Sequence, residues 1–163
     1  MSGILPVALH NNSFYFLFSR EFRKGNKKIV DWRDFGGTPE NNETTKETAI
    51  REGWEESSGF LGNKSSIKNL IENKLVCTVK SSSYTVYVVE IPYDKTLPQR
   101  FKAHFDKMAA KDPSKLVKDG FYEKDRLLWI KLENLKNHKN KFQPWYKTIV
   151  RKLEHTFKNF DKN

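Results

Sequence analysis

The sequence predicts an α/β domain in which a mixed, partly antiparallel sheet lies between helices. Three observations lead there. Strand-like runs come in adjacent pairs joined by turn residues, as hairpins do. Segments with apolar residues at 3–4 spacing are interleaved with them. The chain of 163 residues has the length of one domain, roughly 100–200 residues. No internal repeat or low-complexity linker divides it, so a single domain over 1–163 is expected.

The elements follow in order. Ile4–His10 and Phe14–Ser19 are runs of strand formers, and Asn11-Asn12 between them marks a hairpin turn. Arg23–Lys28 is a basic, Gly-containing loop, and Trp32–Phe35 reads as a short strand running into Gly36-Gly37. Thr44 to Ser58 reads as a helix. Thr44 with Glu47 three residues on forms a capping box, and Gly59 is placed to stop the helix in the left-handed conformation. Ile67–Ile71 is a short helix. Lys74–Lys80 and Tyr84–Ile91 form a second strand pair around Ser81-Ser82-Ser83, ended by Pro92. Pro98–Ala110 is helical and Arg126–Leu132 is a strand. Trp145–Phe160 is an amphipathic helix, with Trp145, Ile149, Val150, Leu153 and Phe157 on one stripe.

Composition removes several function classes. Aromatic residues at 13% argue against a disordered chain, and 8 Gly with 6 Pro exclude collagen-like and Pro/Gly-rich classes. No run approaches the ~18 apolar residues of a membrane span. The start, Met1-Ser2-Gly3-Ile4-Leu5, has no basic region before its apolar stretch, so no secretory signal is expected, and Ser2 argues against myristoylation. Cys77 is the one cysteine. It excludes an intrachain disulfide and a multi-cysteine zinc site, and it fits a reducing, cytoplasmic setting. Its apolar and β-branched neighbours place it on a strand as a small core residue. The net charge of +10 is uneven: residues 1–60 carry 8 basic and 9 acidic side chains, residues 61–163 carry 22 and 11. Such a basic second half serves solubility, or it attracts polyphosphates and RNA.

The stretch that carries chemistry is Gly37–Phe60. Glu52, Glu55 and Glu56 stand at i, i+3 and i+4, on one face of the helix. Unpaired, they repel by a few tenths of a kcal/mol per pair, so compensation is expected. A divalent cation supplies it, and hard oxygen donors favour Mg²⁺ or Mn²⁺ over zinc. A solvated, Glu-rich surface helix shows the same pattern. Gly36-Gly37 favours the metal reading, because a Gly pair lets backbone approach a ligand and exposes a carbonyl as a further oxygen donor.

Gly37, Glu43 after five residues, and Arg51-Glu52 with Glu55-Glu56 after seven more resemble the Nudix box. That motif runs Gly-x5-Glu-x7-Arg-Glu-U-x-Glu-Glu-x-Gly-U, with U bulky and apolar, and its fixed positions match through Glu56. Three positions depart from it. Gly53 stands where the family has an apolar residue, which removes a packing contact that Trp54 partly replaces. The terminal Gly-apolar pair comes one residue late, as Gly59-Phe60. Phe35-Gly36-Gly37 lacks the proline often found before the glycines.

The resemblance implies an α/β/α sandwich and a pyrophosphohydrolase that cleaves a nucleoside diphosphate derivative by attack of metal-bound water. It implies Glu55 and Glu56 as the main metal ligands, with the Gly36 carbonyl as another. Glu52 would bind metal or activate water. Glu43 and Arg51 would be structural and paired with each other, and Gly37 belongs to the same structural motif. Family members draw a further carboxylate from a loop before a Trp-containing strand. Glu123 ahead of Trp129 fits that place as ligand or base, with Asp125 as substitute. Arg20, ending the second strand, fits a phosphate contact or an ion pair with Glu21. Phe121 and Tyr122 could stack on a base or anchor a loop. His10, His104, His138 and His155 show no metal-ligand spacing.

Gly3–Pro6, Phe14–Glu21 and Asp34–Gly37 also resemble Nudix proteins of large DNA viruses and protists, which implies a viral enzyme in host cytoplasm as one origin. The substrate implied is a small nucleotide derivative or, alternatively, the cap of an mRNA held by the basic surface. A non-catalytic Nudix-fold binding module usually lacks one of the box carboxylates, all present in this chain. A basic RNA-binding protein is the remaining class, and residues 131–163 carry 9 basic against 3 acidic side chains. Membrane partners are not expected, and the oligomeric state is open.

Overall fold

The computed structural model describes residues 1–22, 31–114 and 122–160. Asn11 and Asn12 have φ of 49° and 60°, the two left-handed residues that a tight hairpin turn needs to match strand twist. They join β1 (Ser2–His10) to β2 (Ser13–Glu21), antiparallel with Val7 opposite Phe16 and His10 opposite Ser13. Beyond Val7 the two strands part. Into the gap come β3 (Trp32–Arg33), paired with β2 at Ser19–Arg20, and β4 (Phe35–Gly37), paired with β1 at Ser2–Ile4. This wedge fixes the glycine pair at the open end of the sheet. The basic loop expected over 23–28 lies outside the described residues.

On its other edge β1 runs parallel to β6 (Thr85–Glu90), which pairs in turn with β5 (Leu75–Lys80) as an antiparallel hairpin. β7 (Lys124–Lys131) lies antiparallel along β2, with Leu17 opposite Trp129. The sheet is therefore mixed, in the order β3-β2-β1-β6-β5. Alternation along each strand sends side chains to two cores. On one face Leu5, Val7, Phe16, Phe18, Val86 and Val88 pack against Ile149, Leu153 and Phe157 of α4 (Lys147–Phe160). On the other, Ile4, Leu17, Val89 and Leu127 pack against α1 (Thr45–Glu56), α2 (Lys64–Asn73) and α3 (Leu97–Lys111). The result is an α/β/α sandwich.

The amphipathic helix expected from Trp145 starts later. Pro144–Tyr146 is a 3-10 turn, with Tyr146 buried and Trp145 45% exposed, and the α-helix begins at Lys147. Cys77 is half-buried against the α4-side core, and burial pushes its thiol up to about 11. Among the described residues no helix is long and apolar enough to cross a membrane.

The end of α1 explains two of the departures from the Nudix pattern. The helix stops at Glu56, earlier than expected, and a Schellman motif closes it. The N–H of Gly59 donates to the Trp54 carbonyl at 3.1 Å, and that of Ser58 to Glu55 at 3.0 Å. The left-handed residue at the motif's own glycine position is thus Ser58, at φ 50°. Ser58→Gly is expected to raise stability by about 1 kcal/mol, read as a shifted urea midpoint at unchanged slope. At Gly53 there is no vacancy to fill. A Cβ there would stand 2.8 Å from Cγ2 of Ile4, so the glycine lets α1 lie close on β1. Gly53→Ala is expected to cost about 1 kcal/mol net, since overpacking exceeds the helix-propensity gain. Unfolding by denaturant measures it.

Candidate active site

Helix α1 enters the wedge rigidly because its first turn is closed on both sides. The Thr44 hydroxyl accepts from the Glu47 N–H at 3.2 Å, and the Thr44 N–H donates to Glu47 at 2.7 Å. Arg51 is buried at the centre of the carboxylates. Its Nε donates to Glu43 Oε1 at 2.8 Å, and its Nη2 to Glu43 Oε2 at 3.1 Å and to the Thr38 carbonyl at 2.9 Å. Its Nη1 reaches Glu52 at 3.0 Å and Glu55 at 3.2 Å. This grip holds the Glu43 carboxyl down at about 2.

Glu52 packs onto Gly37, the second of the glycine pair. A Cβ on Gly37 would stand 2.2 Å from Glu52 Oε1, so the backbone that the sequence reading opened to a ligand is approached by the chain's own carboxylate. Burial, and then the neighbouring negative charge of Glu56, push the Glu52 carboxyl up to about 7 against the pull of Arg51. Its protonation therefore changes near neutrality, as a group that takes a proton from water at that pH requires.

Glu56 lies deeper, 1% exposed. Its Oε2 accepts the Gly36 N–H at 2.7 Å, and its Oε1 has no hydrogen-bond partner. Two buried cations face it: Arg33 Nη2 at 3.6 Å and Lys124 Nζ at 3.7 Å. Arg33 Nη1 also donates to the Gly36 carbonyl at 2.6 Å. Beside it Asp34, wholly buried, accepts the Tyr84 hydroxyl at 2.7 Å, and burial pushes its carboxyl up to about 6. The compensation expected from a metal is thus supplied by side chains: Arg51 for Glu52 and Glu55, Arg33 and Lys124 for Glu56. Sequence reading missed Arg33, Asp34, Tyr84 and Lys124. Charged residues at two successive positions of a strand-like Trp-Arg-Asp-Phe run were the available signal.

The outer residues gather at the start of β7. Glu123 is exposed, and its carbonyl accepts the Phe22 N–H at 2.6 Å. Partial desolvation and the charge of Glu56 raise its carboxyl above the usual range. Arg20 pairs with Asp125 rather than Glu21, donating from Nε at 2.9 Å and Nη2 at 2.5 Å. Glu21 instead accepts Gln143 at 2.8 Å. Tyr122 is half-buried and stacks near His104, with centroids 6.4 Å apart. Phe121 lies outside the described residues.

Comparison with solved structures identifies the fold. A Caenorhabditis elegans Ap4A hydrolase in a binary complex superposes with a TM-score of 0.53, at 14% identity, over 97% of this chain and 96% of that one. The Nudix hydrolase RenU of Mycobacterium smegmatis gives 0.52, at 12% identity, over 97% and 85%. The fold is the Nudix fold. No protein-family model matches the sequence. An uncharacterised protein of Acanthamoeba polyphaga mimivirus is 45% identical over 58 residues, a stretch spanning 35% of this chain and only 19% of the viral protein.

Nudix hydrolases generally use divalent metals, and the donors in this chain are of a kind that suits one. They are hard carboxylate and carbonyl oxygens, and Glu56 Oε1 is buried without a hydrogen bond. Among the described residues, however, no three acidic, His or Cys side chains converge as a metal-holding group. The arginines hold the carboxylates apart. An ion held by these carboxylates would have to replace those contacts, Arg51 on Glu52 and Glu55, or Arg33 and Lys124 on Glu56.

Proposed function

We propose that this chain is a Mg²⁺- or Mn²⁺-dependent hydrolase that cleaves a pyrophosphate bond in a nucleoside diphosphate derivative. The observation that carries this reading is Glu52, a carboxylate poised near neutrality against Gly37 and clamped by Arg51 on the Nudix scaffold. A bound dication would neutralise phosphate oxygens and lower the pKa of its water. Glu52 would take the proton from the attacking water. Arg51 holds Glu52 and Glu55 in fixed positions through hydrogen bonds of 3.0 and 3.2 Å. Glu123, at the mouth of β7, adds a second carboxylate within electrostatic reach of Glu56.

The test is a panel of Ap4A, nucleoside triphosphates, nucleotide sugars, NADH, inositol pyrophosphates and capped RNA, each with Mg²⁺ and Mn²⁺. Phosphate, mononucleotide or cap release that disappears with chelator is the expected result. No cleavage of any compound with either ion would end the proposal.

A second reading, cap removal from RNA, draws on one surface. A groove of about 450 Å³ is lined by Lys136, Lys139, Lys147 and Arg151, with one acidic residue, Glu154, over Leu135, Phe142 and Val150. Trp145, next to Pro144 of that lining, stands 6.0 Å from the Arg33 guanidinium. Capped RNA held there would lose affinity steeply as salt rises. A flat dependence removes this reading and leaves the small-nucleotide one.

A further inference from the structure

The Gly36 carbonyl and Glu56 form one side of a cation position, and the chain fills it itself. Arg33 Nη1 donates to the carbonyl at 2.6 Å, and Nη2 stands 3.6 Å from Glu56 Oε1. Lys124 backs the same oxygen at 3.7 Å. Glu56 Oε1 and Lys124 Nζ lie fully buried without hydrogen-bond partners, so Coulomb attraction alone binds them. Removing such charges from water costs several kcal/mol per ion unless opposite charge is close. Arg33 and Lys124 offset Asp34 and Glu56, and Arg33 stands where a dication would have to sit to reach both the Gly36 carbonyl and Glu56.

We propose that Arg33 is a resident cation, whose guanidinium excludes a divalent ion from the position between the Gly36 carbonyl and Glu56. Any divalent ion the wild-type chain holds then rests on Glu52 and Glu55. A planar guanidinium suits this post, because two of its nitrogens serve two acceptors at once and its charge persists at any working pH. Lysine at position 33 keeps the charge but not the fork. The inference shares the identity of the ion with the function proposed above, but not the activity.

The test counts bound Mn²⁺ by electron paramagnetic resonance at neutral pH, without substrate, for the wild type, Arg33→Ala, Arg33→Lys and the double variant Arg33→Ala/Glu56→Gln. One additional Mn²⁺ per chain is expected in Arg33→Ala. None is expected in Arg33→Lys, and the gain should vanish in the double variant. An unchanged count in a folded Arg33→Ala overturns the inference and leaves the proposed hydrolase untouched. A wild type that binds no Mn²⁺ and cleaves nothing, beside an Arg33→Ala that gains the ion, ends the proposed function and supports the inference. Should Arg33→Ala not fold, Mn²⁺ soaked into wild-type crystals decides by anomalous scattering. Density bridging the Gly36 carbonyl and Glu56 refutes the resident cation, and its absence there with Arg33 in place supports it.

Discussion

Glu52→Gln is expected to lower turnover by about 10²–10⁴-fold, the range for losing a positioned general base. The same substitution should make the chain more stable. In the folded protein the Glu52 carboxyl is raised from 4.5 to about 7, chiefly by burial and by Glu56. The folded state therefore holds this proton more tightly than the unfolded chain does. Its contribution is fully present below about pH 4.5 and is lost as pH rises to about 7, so above that the ionised form weighs against folding. An amide removes that cost. A gain of about 1 kcal/mol, or roughly 2–4 °C in Tm, is expected at pH 8 in chelator. Lost activity with gained stability separates a functional carboxylate from a structural one. Full activity in Glu52→Gln would remove this residue from the chemistry.

How much of this was legible in the sequence varies with the range of the interaction involved. The Asn11-Asn12 hairpin, the capping box of Thr44 and Glu47, and the i, i+3, i+4 spacing of Glu52, Glu55 and Glu56 are local, and local rules found them. The wedge where β1 and β2 part is not. It depends on Ser2 meeting Gly37 and on Arg20 meeting Trp32, pairings that no periodicity encodes. The cations facing Glu56 come from β3 and β7, far from α1 in the chain, so a carboxylate cluster that looked uncompensated in sequence is matched in space. The bond between Arg20 and Asp125 spans 105 residues and displaced the nearer partner Glu21 for the same reason. Gly53, in sequence a lost contact, is a close approach between α1 and Ile4. Fold class depended on patterns that repeat, whereas the charge balance of the site depended on contacts made once.

Arg51 carries the largest expected effect on stability. Arg51→Met keeps much of the aliphatic stem and removes the fork that joins Glu43, Glu52, Glu55 and the Thr38 carbonyl. Breaking a buried ion pair by removing one partner costs about 3–5 kcal/mol, because the carboxylates left behind have lost water and gained nothing. The pH dependence should change sign with it. In the wild type Glu43 is held down from 4.5 to about 2, first by its hydrogen bond from Arg51. The unfolded chain binds that proton more readily, so this stabilisation is present above about pH 4.5 and is lost as pH falls through about 2. Without Arg51 the Glu43 carboxyl returns toward its ordinary range, and Glu52, freed of a lowering charge, moves further up. The acid limb therefore flattens, and the variant is expected to be most stable below neutrality, where the crowded carboxylates can be protonated. Urea unfolding from pH 3 to pH 8 in chelator reads both limbs. A variant that kept the wild-type acid limb would show that Arg51 does not set the charge state of Glu43. Added Mn²⁺ gives the complementary reading: a dication bound to the released carboxylates should restore part of the lost stability to Arg51→Met. Stabilisation by mass action scales as RT ln(1 + [L]/Kd), so the restored stability should grow with the logarithm of Mn²⁺ concentration, whereas an ion bound elsewhere would stabilise the wild type equally.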